Sequence, residues 1–192
     1  PVHGTTGYEF IRLMNGLQVD GSGLASLRQC FADFSGRTES MSDAVYFAKR
    51  TLMRNTLASE LNVLANRLAR LAEVDPFTRD FTVNALRGAL AEVVAAFPVY
   101  RTYVDAQGAT EDDRRDLDWA VAQAKKRRAR EETTIYDFIH RVLRLDVPQD
   151  MPPLQRLVVQ DFAMRFAQYT GPVTAKSVED TLFYRIFPLV SL

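Results

Sequence analysis

Hydrophobic residues recur along this chain at helical rather than strand spacing. Leu57, Leu61, Leu64, Leu68 and Leu71 follow steps of four, three, four and three, so they share one helix face. Ser40 stands three residues before Asp43, a capping pair for a helix of about thirty residues that ends near Val74. Asp75-Pro76 stops it, because proline disfavours helix at the residue before it. A second helix is expected over 78–96, burying Phe81, Leu86, Leu90, Val93 and Phe97. Gly88 inside it suggests a close helix contact. Upstream, Leu24, Leu27, Phe31 and Phe34 mark a short helix closed by Gly36.

Residues 99–104 (Val-Tyr-Arg-Thr-Tyr-Val) are rich in β-branched and aromatic side chains and lie between Pro98 and Gly108, which suits a short extended segment. A polar helix is expected over 111–132, with acids first and Lys125, Lys126, Arg127, Arg128 and Arg130 last, as the helix dipole favours. Thr134 and Asp137 are expected to cap an amphipathic helix through Ile135, Phe138, Ile139, Val142 and Leu143. Beyond the breakers of 148–153, Leu154, Leu157, Val158, Phe162 and Phe166 form a last apolar face, which Gly171-Pro172 is expected to end. The fold expected is all-α, a single domain over 1–192 with orthogonally packed helices and at most one extended segment near 99–104.

Composition narrows the function. Across 192 residues, 24 Lys and Arg balance 24 Asp and Glu, which removes the basic excess of a general nucleic-acid binder. The run Lys125 to Arg130 does not restore it, since 111–132 holds seven acids and seven bases and reads as a solvated face. Hydrophobic content of 47% excludes global disorder, and the apolar runs are too short to span a membrane. No nucleic-acid or membrane partner is expected. Cys30, the one cysteine, has no internal disulfide partner and reads as a small core hydrophobe among Leu27, Phe31 and Phe34. His3 and His140 fall short of the three protein ligands usual in a catalytic zinc site, so no metal or cofactor is expected. His140 is expected to sit beside Asp137. The chain opens at Pro1 with no methionine and no basic-then-apolar leader, and it is expected to be cut from something larger.

Two constellations could carry chemistry. Tyr100, Arg101 and Tyr103 are spaced to stack on and hydrogen-bond a sugar, or to bury an arginine–carboxylate pair. Residues 170–181 place Lys176, Glu179 and Asp180 after a Gly-Pro break. Adjacent acids diverge by about 100° on a helix, so Glu179 and Asp180 suit positioning or ion pairing rather than an acid/base couple.

With their spacing, these blocks resemble the maltooligosyltrehalose synthases, a family within the alpha-amylase superfamily. The resemblance runs through Gly4-Thr5-Thr6-Gly7-Tyr8-Glu9-Phe10, Asn15-Gly16-Leu17, residues 57–65, Arg79-Asp80-Phe81-Thr82 and residues 97–103. It continues through Thr170-Gly171-Pro172-Val173, Ala175-Lys176, Glu179-Asp180-Thr181 and Phe183-Tyr184-Arg185. It implies a parent enzyme that converts the reducing-end α-1,4 linkage of a maltooligosaccharide to α,α-1,1 by intramolecular transglucosylation, a retaining mechanism using paired carboxyl groups. In the family those catalytic motifs lie before the first block and after the last, so no catalytic residue is carried over. The implied role is that of the helical insertion between them, inactive alone, with the catalytic barrel as its partner in cis and a cytoplasmic location. Substrate-site residues implied are Tyr100, Arg101, Tyr103, Lys176, Glu179, Asp180, Tyr184 and Arg185. Ser177, Leu182 and Ile186-Phe187 depart from the family pattern, which leaves room for altered specificity. Two other readings stand beside this one: a stand-alone interaction module using the 57–71 face, and a weak carbohydrate-binding module.

Overall fold

The computed structural model describes residues 7–105, 107–128, 133–148 and 150–185. Among these, eight α-helices occur and no strand: α1 (Tyr8–Leu17), α2 (Leu24–Ser35), α3 (Met41–Arg54), α4 (Ala58–Ala72), α5 (Val83–Ala95), α6 (Glu111–Arg127), α7 (Thr134–Leu143) and α8 (Pro153–Thr174). A π turn (Ala175–Glu179) and a 3-10 turn (Leu182–Tyr184) follow α8. The architecture is all-α, and residues 99–104 run as irregular backbone beyond α5. His3, Ile186 and Phe187 lie outside the described residues.

Packing centres on α4 and α5, whose leucines interlock as their spacing requires. Leu61, Leu64 and Leu68 of α4 and Leu86, Leu90 and Val93 of α5 are buried, with Leu57, Leu71 and Phe81 packed at the margin. The 57–71 face is therefore core, and the interaction-module reading loses its surface. Helices α6, α7 and α8 complete the core through Leu117, Tyr136, Ile139, Phe162 and Phe166.

Several expectations are corrected. The thirty-residue helix is two, α3 and α4, broken at residues 55–57. Asn55 and Thr56 are weak helix formers, and the Tyr169 hydroxyl donates to the Leu57 carbonyl at 2.9 Å, engaging a group at the break. Ser40 caps only α3, with Asp43 N–H donating to its hydroxyl at 3.1 Å. Gly88 is no close contact: a Cβ there would meet nothing within 4 Å. Thr133 rather than Thr134 precedes α7, without a side-chain cap. Gly171-Pro172 does not end α8. Pro172 lacks an N–H to give back along the helix, yet the backbone continues through it and widens into the π turn three residues later. Leu154, Leu157 and Val158 are exposed, and Val159 takes the core position.

Cys30 is exposed, because α2 buries no residue. The apolar residues Phe10, Leu13 and Leu17 of α1 and Leu27 and Phe34 of α2 are exposed as well. Periodicity marks an apolar face without saying what covers it.

Buried polar groups tie α3 to α5. Lys49 is only 2% exposed and donates to the Phe97 carbonyl at 2.9 Å. Burial takes its ammonium down to about 8 from the ordinary lysine value of 10.5. Below pH 8 both folded and unfolded chains hold this proton, and the buried charge is a fixed cost. Between the two values the folded chain releases it first, so the unfolded state binds more protons and stability rises with pH. Denaturant titrations from below pH 8 to pH 10.5 should show wild type gaining up to about 3 kcal/mol relative to Lys49→Met. Parallel curves for the two proteins would refute the assignment.

Candidate functional site

The residues picked out by sequence meet where irregular segment 97–104 passes the end of α8. Phe97 fixes the start of that segment, its ring edge-on to Phe166 with centroids 5.5 Å apart. Thr102 and Val104 are buried, while Tyr100 and Tyr103 face solvent. A Cβ placed on Gly171 would lie 3.9 Å from the Tyr100 carbonyl oxygen, so α8 meets the segment closely at this residue.

The π turn supplies the acids and the lysine. Its extra residue per turn is a recurrent feature of functional sites. Two side chains brace it: Ser177 Oγ donates to the Val173 carbonyl at 2.6 Å, and Thr181 Oγ1 to the Lys176 carbonyl at 2.8 Å. Ser177 is buried, so its hydroxyl is used for backbone bonding rather than presented to solvent.

Three pairings result. The Tyr100 hydroxyl donates to the Glu179 carboxylate, joining the segment to the π turn. Lys176 Nζ lies 3.5 Å from Asp180 Oδ2, an exposed i,i+4 ion pair of the kind that contributes little stability. The Arg101 guanidinium sits over the Tyr103 ring, 4.8 Å from its centroid. Tyr103 is set by its own N–H, which donates to Asp113 Oδ1 at 2.9 Å. Asp113 also closes the Thr110 capping box of α6. Tyr184, at the end of the 3-10 turn, and Arg185, just after it, are exposed, and no hydrogen bond or ion pair among the described residues links them to the other six.

An open cleft of about 470 Å³ lies beside the π turn, lined by Phe47 and Thr51 of α3 and Asn55 just after it, together with Ser177, Thr181 and Arg185. Sequence reading missed the α3 contribution. Its signal was present in the four-residue spacing of Phe47, Thr51 and Asn55, submerged by the stronger leucine pattern of α4.

Three members of the basic run at the end of α6 are engaged internally. Lys125 pairs with Asp137 at 2.5 Å and Arg127 with Asp43 at 3.0 Å, while Arg128 reaches Glu92 at 2.8 Å. Asp43 is held below its usual range by the Ser40 hydroxyl and then by Arg127. His140 bonds Asp118 at 2.6 Å, while Asp137, one turn before it on α7, pairs with Lys125. Asp118 is shifted down: burial works against this, and its bonds to His140 and Arg144 prevail. Among the described residues, no group of three His, Cys, Asp or Glu is placed to hold a metal ion, and no helix is long and apolar enough to cross a membrane.

Fold and cluster together define an all-α segment with an exposed tyrosine–carboxylate and lysine–carboxylate surface. Comparison with known proteins makes this more specific. No family model matches the chain. The chain is 29% identical over 197 residues to proteins of two Mycobacterium tuberculosis strains named as maltooligosyl trehalose synthase, covering 100% of this chain and 22% of each relative. A solved structure of a mutant maltooligosyltrehalose synthase from Arthrobacter ramosus superposes with a TM-score of 0.63 at 29% identity. That match covers 87% of this chain and 18% of the solved one. The chain thus resembles maltooligosyltrehalose synthases along its whole length and spans about a fifth of the curated relatives it matches.

Proposed function

We propose that this chain serves as the internal helical domain of a maltooligosyltrehalose synthase of the alpha-amylase superfamily. The parent enzyme converts the reducing-end α-1,4 linkage of a maltooligosaccharide to α,α-1,1 by intramolecular transglucosylation in the cytoplasm. The observation that carries this reading is the whole-length match to a fifth of much longer proteins of that name. The catalytic barrel is its partner in cis, and the exposed apolar residues of α1 and α2 are the surface it covers.

In this role the domain handles substrate and supplies no catalytic group. Tyr100, Arg101, Tyr103, Lys176, Glu179, Asp180, Tyr184 and Arg185 close over the reducing-end glucose, offering aromatic faces, cations and carboxylates to its ring and hydroxyls. Excluding water there favours transfer over hydrolysis.

Two measurements test this. Incubated with maltoheptaose, the isolated 192-residue chain should yield no trehalosyl product. Within the longer enzyme, Tyr100→Phe or Lys176→Ala should lower the transfer-to-hydrolysis ratio about tenfold, the order of one lost charge-assisted hydrogen bond. Trehalosyl product from the chain alone, or an unchanged ratio in both variants, would refute the proposal.

A further inference from the structure

We infer that the cleft between α3 and the π turn is an adjoining glucosyl-binding subsite, built on Phe47, for a further glucose unit of the glucan. The inference rests on the maltooligosaccharide reading above and adds Phe47, Thr51 and Asn55, which that reading does not use, with Arg185 shared between the two.

Ala44 and Ala48 keep the α3 side of this cleft shallow-walled, so a ligand can approach the helix closely. Phe47, Thr51 and Asn55 rise from the same stretch at intervals of four residues, which places them in one stripe. Phe47 is 58% exposed although aromatic, and its edge-to-face contact with Tyr46, centroids 5.3 Å apart, steadies the ring. Across the cleft stands Arg185, and at the lip Arg37 and Glu39 face each other at 3.8 Å. Among the described residues, no side-chain hydrogen bond engages Thr51 or Asn55, and no ion pair engages Arg185.

A glucosyl ring has an apolar C–H face and a rim of hydroxyls that both donate and accept. The cleft offers the complement: an aromatic platform, a row of neutral amide and hydroxyl groups, and a lip carrying both charge signs. Its volume of about 470 Å³ falls in the range of about 300–1,000 Å³ found for ligand clefts. Glu39 offsets Arg37, and the other cation of the lining, Arg185, can donate to sugar hydroxyls. The neutral amide, hydroxyl and aromatic groups that make up the rest of the wall favour a sugar as the occupant.

The test is an amide NMR titration of this chain with maltoheptaose. Shifts should concentrate on α3 and the π turn. Phe47→Ala should weaken binding at least about tenfold and Asn55→Ala about fivefold, while Trp119→Ala, which removes an exposed aromatic from α6, leaves it unchanged. Phe47 and Asn55 are exposed, so both variants should keep the wild-type circular dichroism spectrum. No detectable binding, equal loss in Trp119→Ala, no loss in Phe47→Ala, or tighter binding of glucose 1-phosphate than of maltose would each overturn the subsite. These outcomes are read from binding to this chain, whereas the proposed function is read from products of the longer enzyme, so either can fail without the other.

Discussion

Phe166→Ala should destabilise the fold by about 3–5 kcal/mol, the range for deleting a buried phenylalanine. Phe166 has no exposed surface, and its ring meets Phe97 at 76° with centroids 5.5 Å apart. That geometry adds about 0.5–1.5 kcal/mol beyond area burial. The void cannot close cheaply, because Phe97 is also held through its carbonyl by Lys49. Domains are stable by only about 5–15 kcal/mol, so one substitution removes a large share. Urea titration should show a lower midpoint with an unchanged slope. Because Phe97 begins the segment that carries Tyr100 and Arg101, amide exchange at Thr102 and Val104 should quicken beyond what global destabilisation accounts for. Phe166→Leu, which keeps most of the volume, should cost markedly less. A loss below about 1 kcal/mol in Phe166→Ala would contradict this account of the core.

What sequence could and could not show follows from the range of each interaction. The faces of α4 and α5 were legible because leucines at three- and four-residue steps must share a side, and Leu61, Leu64, Leu68, Leu86 and Leu90 are buried as that spacing requires. Gly36 was legible too, ending α2 with φ of 67° where a side chain would be strained. The break at 55–57 was not, since it is completed by Tyr169, far away in sequence. Nor was the passage of α8 through Pro172, where local rules favour a stop and packing of the π turn against α3 overrides them. In the site, an ion-pairing role for Asp180 was legible, and Lys176 four residues before it is the partner. The Tyr100–Glu179 bond spans 79 residues and needed the tertiary fold. Exposed Cys30 was misread because a periodic apolar face implies a cover without placing it.

Glu92 shows how a residue silent in sequence carries a large effect. It interrupts the apolar run of α5, is 2% exposed, and gathers three partners from two other elements. Tyr46 donates to Oε2 at 2.6 Å, Arg50 lies 3.2 Å from Oε1, and Arg128 reaches Oε1 at 2.8 Å. Burial and then the Glu92 bond raise the Tyr46 phenol above its usual range, so that hydroxyl stays a donor through neutral pH. Glu92→Leu fills the space but withdraws the counter-charge from Arg50, whose side chain is only 15% exposed. Removing one member of a buried pair costs about 3–5 kcal/mol, chiefly by stranding the other charge. Arg128 is 39% exposed and can turn to water, so the lower end, about 3 kcal/mol, is expected. Glu92→Gln keeps an acceptor for Tyr46 and should cost about half as much. The two mechanisms separate in a double-mutant cycle. If stranded charge dominates, adding Arg50→Leu to Glu92→Leu should recover part of the loss, giving a coupling of at least about 1 kcal/mol. Strict additivity would instead make Glu92 a packing residue whose charge is incidental.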